Sequence, residues 1–415
     1  MQDKRCDAQS KSLAIGGIIT ALALLLRIGW IAINWSRTGA TLAYPDEQLH
    51  WEIASRLVNE GVMATADGRF VARMPLYPLY LALFAPLGDI GVLAARVGQA
   101  LLGAATAWLG FRWALTALGP AAAIVAGALI AIEPYSIFFS ALLLTEVPYT
   151  FVGFLFAYAA WRIANAPELA SKQLGLLVGL SGAAAILLRP SAALLVPATW
   201  LLLFALDPLR RRGGLRMGMY GLILLTLMLP WGLRNRAVVG DFAWLSANGG
   251  LTLYDGQGPQ ARGDSDQSFL QSMPELAAMG EVQRDAHLRD LAIAHMRRDP
   301  GRVLELAWAK FLRTWSLAPN VAEHRSGMTA IVSAAFTGAV LLGSAIALLR
   351  LCIAAGESRA RLLRFHAMIW LPVVYYTLLH CVYVGSLRYR VPVMPMVELA
   401  AAAAVVGKYR VASSK

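Results

Sequence analysis

The sequence has few charged residues and few cysteines. Only 15% of its 415 residues are charged, whereas a soluble domain carries about 25%. The three cysteines show no CxxC spacing, and the topology developed below places Cys6 and Cys352 at one side of a membrane and Cys381 near the other. The scarcity of charge argues against a soluble globular protein. The cysteines support neither a disulfide framework nor a cysteine zinc site.

Motifs of nucleotide and metal chemistry are also missing. The chain has no GxGxxG, P-loop or HExxH pattern. The segment 255–266, DGQGPQARGDSD, lacks the spacing and the closing Glu of an EF-hand, so we interpret it as a loop. His50 and His380 are predicted near the outer side of the membrane, where either could join a carboxylate at a metal ion. We expect no cofactor, with a divalent metal as the alternative.

Apolar residues are abundant, at 58% of the chain. They form repeated runs of membrane-spanning length, without the alternation of a transmembrane β-barrel. The first run, from about 13 to 35, is long enough to span and is interpreted as an uncleaved helix. The sequence therefore predicts an all-α polytopic membrane protein with about ten spans and interfacial helices in its first outer loop. The predicted spans are 12–35, 92–118, 121–144 with a break at Glu133-Pro134, 147–164, 174–188, 191–206, 217–233, 328–350, 367–384 and 391–407.

Basic residues predict the orientation of these spans, because Lys and Arg are enriched in cytoplasmic loops. Alternating ten spans from a cytoplasmic N-terminus places every basic cluster without acidic residues inside, and both termini with them. The net charge of +12 then reflects orientation and does not indicate a nucleic-acid partner. The clusters are Lys4, Arg5 and Lys11; Arg210, Arg211, Arg212 and Arg216; Arg359, Arg361 and Arg364; and the tail from Lys408.

The same topology divides the chain into three regions. An N-terminal transmembrane region, 1–236, contains the first outer loop, 44–78. An outer segment with short helices covers 237–327, and a C-terminal transmembrane region covers 328–415. An aromatic stretch in the outer segment, with Trp308 and Trp315, is interpreted as interface anchors rather than as platforms for sugars.

Two carboxylate sites and several arginines are predicted at the outer face, many of them at helix ends. Ionisable groups at membrane depth are costly and are usually functional. The planar fork of arginine matches phosphate oxygens, and a carboxylate can take a proton from an attacking hydroxyl. This combination at the outer leaflet suits a sugar attached to a polyprenyl phosphate. The residues are Asp46, Glu47, Arg73, Glu146, Arg189, Arg234, Arg388 and Arg390.

Most of these residues, and Arg27 within the first span, also have a structural interpretation. Asp46 follows Pro45 and precedes an amphipathic segment, so it could be only a helix N-cap. Glu146, before Pro148, could be a solvated helix start. Among the arginines, Arg189 could snorkel to the interface, and Arg388 and Arg390 could only mark it. Arg27 could either snorkel or face the site.

The order of these features resembles the GT-C glycosyltransferases of the protein O-mannosyltransferase and lipid A aminoarabinose transferase group, which are similar to glycosyltransferase family 39. The resemblance covers almost the whole chain, although no single motif is strong. In chain order, the motifs are YPDE at 44–47, RMPLYP at 73–78, TE at 145–146, LRP at 188–190, PWGLRN at 230–235 and RYRVPVMP at 388–395.

The resemblance implies a lipid-phosphate sugar donor, inverting transfer and an outward active site. It assigns the catalytic carboxylate to Asp46, its acidic neighbour to Glu47 and the second-loop acid to Glu146. Arg73, Arg189, Arg388 and Arg390 would bind the donor phosphate. The chain departs from the aminoarabinose transferases at Met74, where those enzymes carry a lysine. We expect its soluble part to be the modest segment 237–327 rather than the large C-terminal domain of some members.

We therefore expect a glycosyltransferase of a bacterial inner membrane that acts on the periplasmic side. The acceptor could be a lipid, an envelope glycan or a protein hydroxyl. Three alternatives remain at this point: an oligosaccharide polymerase or ligase, a transporter or flippase of a lipid-linked substrate, and a scaffold without activity. A transporter would usually place its charges at the midplane and show repeated halves, whereas this sequence shows no repeat and its charges are predicted at one face.

Overall fold

The computed structural model describes an all-helical chain, and the described residues are 2–165, 172–206, 210–320, 327–354 and 356–405. No β-strand occurs among them. The first eight α-helices are α1 Gln2–Thr38, α2 Pro45–Glu60, α3 Leu76–Ala82, α4 Asp89–Ala117, α5 Pro120–Ile132, α6 Pro134–Ser140, α7 Glu146–Asn165 and α8 Lys172–Leu188. The other eight are α9 Leu195–Leu206, α10 Arg210–Val239, α11 Gly249–Gln257, α12 Glu281–Arg298, α13 Pro300–Thr314, α14 Met328–Ile353, α15 Gly356–Val382 and α16 Met394–Ala402.

Six helices among the described residues are long and apolar enough to cross a membrane, and a bent pair would make seven. The chain is thus a multi-pass membrane protein, but a count of ten spans is not confirmed. The bent pair is α5 with α6, which meet at 47°. The six helices contain the segments Lys11–Thr38, Asp89–Ala117, Glu146–Asn165, Gly218–Val239, Met328–Ile353 and Leu362–Val382, and shorter apolar helices lie at Leu76–Leu87, Lys172–Leu188 and Pro190–Leu206.

The predicted tenth span differs from the structure. Within 391–405, α16 has only nine residues and is flanked by 3-10 turns. The first of these turns, Leu387–Val393, contains Pro392, and Pro395 follows near the start of α16. Because proline removes a backbone donor, two prolines in this stretch delay the start of the α-helix.

Three further boundaries also differ from the predictions. α10 continues past Arg234 and ends before Gly240, whose φ is +81°. Arg359 and Arg364 lie within α15 rather than in a loop. The predicted loop 255–266 begins inside α11. Several other predictions fall outside the described part of the chain. They concern the side chains of the basic clusters at 4–5 and 210–216, the side chain of Arg361, residues 166–171 of a loop expected on the cytoplasmic side at 165–172, and the tail from Lys408.

Helices α1, α4 and α5 pack closely through small residues. A Cβ on Gly16 would lie 2.7 Å from Phe111, and a Cβ on Gly110 would lie 2.2 Å from the Ile130 side chain. Small side chains at helix contacts let the backbones approach closely in membrane proteins. This packing holds the break between α5 and α6 next to α1.

Arg27 and Glu133 stabilise that break. Glu133 caps α6 by accepting hydrogen bonds from the backbone N–H groups of Tyr135 and Ser136. The Arg27 guanidinium is fully buried and donates to the carbonyls of Ile130 and Ala131, at 3.2 and 3.0 Å. The prediction that Arg27 snorkels to the interface is therefore wrong. It satisfies carbonyl groups that the end of α5 leaves without helical partners.

The buried charges also correct the expectation that ionisable groups gather at one face. Arg27 lies inside the first membrane-spanning segment, and Glu133 lies at the bend of the α5–α6 pair. Glu398, on α16, is fully buried as well. The argument against a transporter assumed that the membrane interior holds no charged residues. These buried charges remove that argument.

The outer segment contains the predicted short helices, and the first long one is the polar helix α12, Glu281–Arg298. The next helix, α13, is strongly amphipathic, and Leu304, Trp308 and Leu312 expose one apolar stripe at a spacing of four residues. A helix with such a stripe is typical of a membrane interface. The interfacial position of Trp308 stays a prediction.

Candidate active site

Five side chains from distant parts of the sequence form one continuous set of ion pairs, which we name the outer charge chain. Arg73 Nη2 donates to Asp46 Oδ1 at 2.8 Å, and Arg388 Nη1 donates to Asp46 Oδ2 at 2.7 Å. Arg388 also donates through Nε to Glu146. Arg189 Nη2 completes the chain with a bond of 2.6 Å to the same Glu146 oxygen. The structure therefore brings together five of the seven predicted site residues.

Helix ends position these side chains. Asp46 lies in the first turn of α2, Glu146 is the first residue of α7, and Arg189 directly follows α8. Arg73 lies in the turn before α3, and Arg388 lies in the 3-10 turn that follows α15. Both carboxylates thus occupy helix N-termini, where the helix dipole favours negative charge.

Asp46 is not the N-cap of α2. That position belongs to Tyr44, which has an extended backbone conformation. Both oxygens of Asp46 instead bind guanidinium groups from other elements. The N-cap interpretation is therefore wrong, and the side chain of Asp46 is directed into the charge chain.

The outer charge chain has a buried end and an open end. The Glu146 side chain is 0% exposed, whereas the Asp46 side chain is 36% exposed. Three guanidinium groups face two carboxylates, so a net positive charge remains. The open end therefore combines an accessible carboxylate with an excess of arginine donors, which is suited to an anion that carries a reacting group.

The arginines also control the protonation of Asp46. Burial alone would raise the pKa of the Asp46 carboxyl, but the guanidinium groups of Arg388 and Arg73 outweigh it and hold this pKa below its usual range. His50, one turn further along α2, behaves differently. Burial and the nearby charge of Arg73 lower the pKa of His50 to about 3, so its imidazole is neutral near pH 7.

Glu47 lies outside the outer charge chain, although it is adjacent to Asp46 in the sequence. It is fully buried, and its oxygens accept hydrogen bonds from the backbone N–H groups of Ala43, Tyr44 and Leu143 at 3.1, 3.2 and 2.8 Å. Burial raises the pKa of Glu47, and these N–H groups oppose that effect. The contacts fasten the start of α2 to the segment before α7, so Glu47 orients the two elements that carry Asp46 and Glu146.

Arg390 also lies outside the outer charge chain, although Arg388 is only two residues away. Its guanidinium is fully buried and donates to the carbonyls of Thr314 and Ser316 and to the Thr337 hydroxyl. It also lies over the Tyr135 ring, with 5.5 Å to the ring centroid. These contacts give Arg390 structural partners outside the outer charge chain. Its binding of the donor phosphate stays a prediction.

Arg234, predicted at the same face, binds two backbone carbonyls of the first outer loop. Its guanidinium donates to Phe70 and Met63, and it lies over the Trp231 ring at 5.1 Å. It therefore holds the loop 63–70 against α10. That loop leads directly to Arg73.

Aromatic side chains line the buried end of the outer charge chain. The sequence did not indicate them. The Arg189 guanidinium lies 5.4 Å from the centroid of Tyr149, whose hydroxyl shares a hydrogen bond with that of Tyr376. Tyr389 stacks on His380 with 4.1 Å between the ring centroids. The position of Tyr149, three residues after Glu146 on the same face of α7, could have signalled its role.

The histidines considered for a metal site have other contacts. His380 Nδ1 lies 3.1 Å from the Val384 carbonyl, and the His50 ring packs edge-on against Tyr77. Within the described ranges, no three His, Cys, Asp or Glu side chains form a group that could hold a metal ion.

Comparisons with known proteins support the fold. The sequence profile of the family described as dolichyl-phosphate-mannose-protein mannosyltransferase matches residues 72–232. The structure of the archaeal oligosaccharyltransferase AglB from Archaeoglobus fulgidus, in complex with an inhibitory peptide and a dolichol-phosphate, superposes with a TM-score of 0.58 at 14% identity. The match covers 96% of this chain and 50% of AglB.

The chain has a GT-C fold. The chain spans half the length of AglB. ArnT from Cupriavidus metallidurans, bound to undecaprenyl phosphate, is similar at 17% identity over 91% of this chain and 77% of ArnT, with a TM-score of 0.45. A search of curated protein sequences finds no significant match. The profile match includes Arg73, Glu146 and Arg189 of the outer charge chain but ends well before Arg388.

Proposed function

We propose that this protein is a glycosyltransferase that moves a sugar from a polyprenyl-phosphate donor to a hydroxyl of an envelope acceptor. The observation that carries the proposal is the outer charge chain, in which Asp46 lies between Arg73 and Arg388 at its open end. Asp46 is the base that takes the proton of the acceptor hydroxyl as that oxygen attacks the anomeric carbon. Polyprenyl phosphate is the leaving group, and the anomeric configuration inverts.

The two arginines beside Asp46 link donor binding to its basicity. In the free protein they depress the pKa of Asp46, which makes it a weak base. A donor phosphate competes with Asp46 for the same guanidinium groups, because both anions use the same donor fork. Phosphate binding therefore releases the carboxylate and raises its pKa towards the usual range. Asp46 becomes a better base once the donor is bound.

An apolar groove supports a lipid donor. It encloses about 620 Å³ between α2, α3, α8 and α10. Pro75 and Leu187 belong to its walls, and each lies two residues from an arginine of the charge chain, Arg73 or Arg189. An isoprenoid chain in this groove would bring its phosphate to these arginines. The match to a family named for dolichyl-phosphate-mannose and the likeness to AglB, whose structure holds dolichol-phosphate, agree with such a donor.

The proposed setting is a bacterial inner membrane, with the active site on the periplasmic side and both termini in the cytoplasm. The acceptor is a lipid, a glycan or a protein hydroxyl of the envelope. Mass spectrometry of envelope glycolipids, glycans and proteins, from cells with and without this protein, tests the proposal. A monosaccharide that is missing without the protein would identify both the sugar and its acceptor. Unchanged envelope compositions would contradict the proposed transfer.

Arg388→Ala is expected to weaken binding of undecaprenyl phosphate about tenfold to a hundredfold, the effect of losing one charge-assisted hydrogen bond to phosphate. The variant should fold, because Asp46 keeps Arg73 and Glu146 keeps Arg189 as partners. Tryptophan fluorescence of the purified protein in detergent measures the affinity. Arg69→Ala is the matched control, since Arg69 pairs with Asp67 in the same outer loop. Equal affinities of Arg388→Ala and the wild type would exclude the phosphate site at Arg388.

Transfer is expected to need no divalent metal, because the three arginines can stabilise the leaving phosphate directly. Incubation with EDTA should therefore leave the transfer rate unchanged. Activity that disappears with EDTA and returns with Mg²⁺ or Mn²⁺ would instead assign a metal ion to the phosphate.

A further inference from the structure

The segment that carries Arg388 is held on both sides of that residue by α13. Upstream, Val382 ends α15 and the chain runs through Gly385 to Arg388. Downstream, Arg390 donates to the carbonyls of Thr314 and Ser316, at and just beyond the end of α13. The position of Arg388 relative to Asp46 and Glu146 therefore depends on how this segment is seated on α13.

Lys310 is the main upstream contact. It is fully buried, and its ammonium donates hydrogen bonds to the carbonyls of Gly256 and Val382 at 2.7 and 2.9 Å. These carbonyls lie in the last turns of α11 and α15, where backbone oxygens lack helical partners. A cation is favoured at a helix C-terminus, and Lys310 serves two such ends at once.

The backbone around Lys310 is tightly packed against the segment that follows α15. A Cβ on Gly385 would lie 2.5 Å from Lys310 Cα, so the segment rests directly on the α13 backbone. The Gly385 N–H donates to the Gly263 carbonyl at 3.0 Å, and Gln257 Nε2 donates to the Val382 carbonyl at 2.6 Å. Three elements thus converge on the few residues between α15 and Arg388.

Burying a lysine ammonium costs folding free energy unless the charge is hydrogen-bonded or paired. Burial lowers the pKa of the Lys310 ammonium to about 8, so the charge is held against an unfavourable environment. An apolar residue would fill the same volume in α13 without that cost. What an apolar residue cannot do is bind the ends of α11 and α15 together.

We propose that Lys310 is a positioning residue for Arg388: it holds the segment 382–385 on α13 so that the Arg388 guanidinium reaches both Asp46 and Glu146. The proposal rests on the proposed function in one respect, the binding of a lipid phosphate at Arg388. Lys310 itself lies outside the outer charge chain, and both of its hydrogen-bond partners are backbone carbonyls.

The test measures binding of undecaprenyl phosphate to the full-length protein in detergent, for Lys310→Met, Arg388→Ala and the double variant. Lys310→Met keeps the apolar stem and removes both hydrogen bonds. Arg302→Gln is the matched control, because Arg302 also lies on α13 and also donates two hydrogen bonds to backbone carbonyls. Its acceptors are Pro259 and Ala261, and neither belongs to the segment 382–388. Gln257→Leu, which removes one bond to Val382, replaces Lys310→Met if that variant does not fold.

We expect Lys310→Met to weaken binding about tenfold, and Arg302→Gln to change it by less than about twofold. In the Arg388→Ala background, Lys310→Met should have no further effect, because the residue it positions is gone. Additive losses, or a Lys310→Met affinity equal to that of the wild type, would overturn the positioning role. If the wild type does not bind the lipid, or Arg388→Ala binds it equally well, the proposed function fails instead.

Discussion

Replacing Asp46 by Asn is expected to lower sugar transfer about 10³-fold, within the usual contribution of a general base. The amide has nearly the same shape but cannot take the acceptor proton. Binding of undecaprenyl phosphate should stay the same or become tighter, because a neutral amide does not compete as an anion for Arg73 and Arg388. This pattern, transfer lost with binding kept, is the opposite of that expected for Arg388→Ala. Envelope mass spectrometry of complemented cells measures transfer, and fluorescence measures binding.

Asp67→Asn is the control for this variant. Asp67 lies in the same outer loop and pairs with Arg69 at 2.8 Å, but it is well exposed and outside the charge chain. An exposed ion pair contributes little to stability, so this change should preserve both transfer and binding. Normal transfer by Asp46→Asn would exclude Asp46 as the base and leave its two ion pairs a structural role.

The pH dependence of transfer offers a separate view of Asp46. At limiting donor, the rate reports the free protein, in which Arg388 and Arg73 depress the pKa of Asp46. Because a lowered pKa keeps the carboxylate ionised to lower pH, transfer should persist below the usual titration range of an aspartate. At saturating donor, the acid limb of the pH–rate profile should move to higher pH. The reason is that the donor phosphate then binds the guanidinium groups that otherwise lower the pKa of Asp46.

The sequence predicted the members of the site better than their roles. Asp46, Glu146 and Arg388 follow from the placement of charges at predicted helix ends, and the structure joins them. Adjacent residues of a helix point about 100° apart, so the sequence predicts a different direction for the Glu47 side chain than for Asp46. It could not show that the partners of Glu47 are backbone N–H groups. The same geometry separates Arg390 from Arg388, because residues two apart in a 3-10 turn face different directions.

The sequence predicts the fold class, but it does not determine the number of membrane-spanning helices. Apolar runs indicate membrane helices, and Pro134 marks the break between α5 and α6 that the structure contains. Runs shorter than a bilayer, such as those of α8 and α9, give no signal that separates a full span from a packed or re-entrant helix. Lys310 illustrates a further limit: a lysine in an amphipathic helix is expected at the solvated face, and only the carbonyls of Gly256 and Val382 explain its burial.

Glu146→Ala is expected to have the largest effect on stability. Glu146 is fully buried and binds both Arg189 and Arg388, so its removal leaves two partly buried guanidinium groups without their shared anion. Breaking a buried ion pair from one side costs about 3–5 kcal/mol. The melting temperature in detergent should fall clearly, whereas Glu60→Gln, at the exposed pair with Arg56, should leave it nearly unchanged.

Undecaprenyl phosphate should partly restore the stability that is lost in Glu146→Ala. A phosphate group can neutralise the arginines that the missing carboxylate leaves unpaired, and a ligand that binds only the folded state stabilises it in proportion to its affinity. Undecaprenyl phosphate should therefore raise the melting temperature of Glu146→Ala more than that of the wild type. An equal or smaller rise would mean that lipid phosphate does not reach Arg189 and Arg388. The lipid would then bind only at the open end of the chain, beside Arg73.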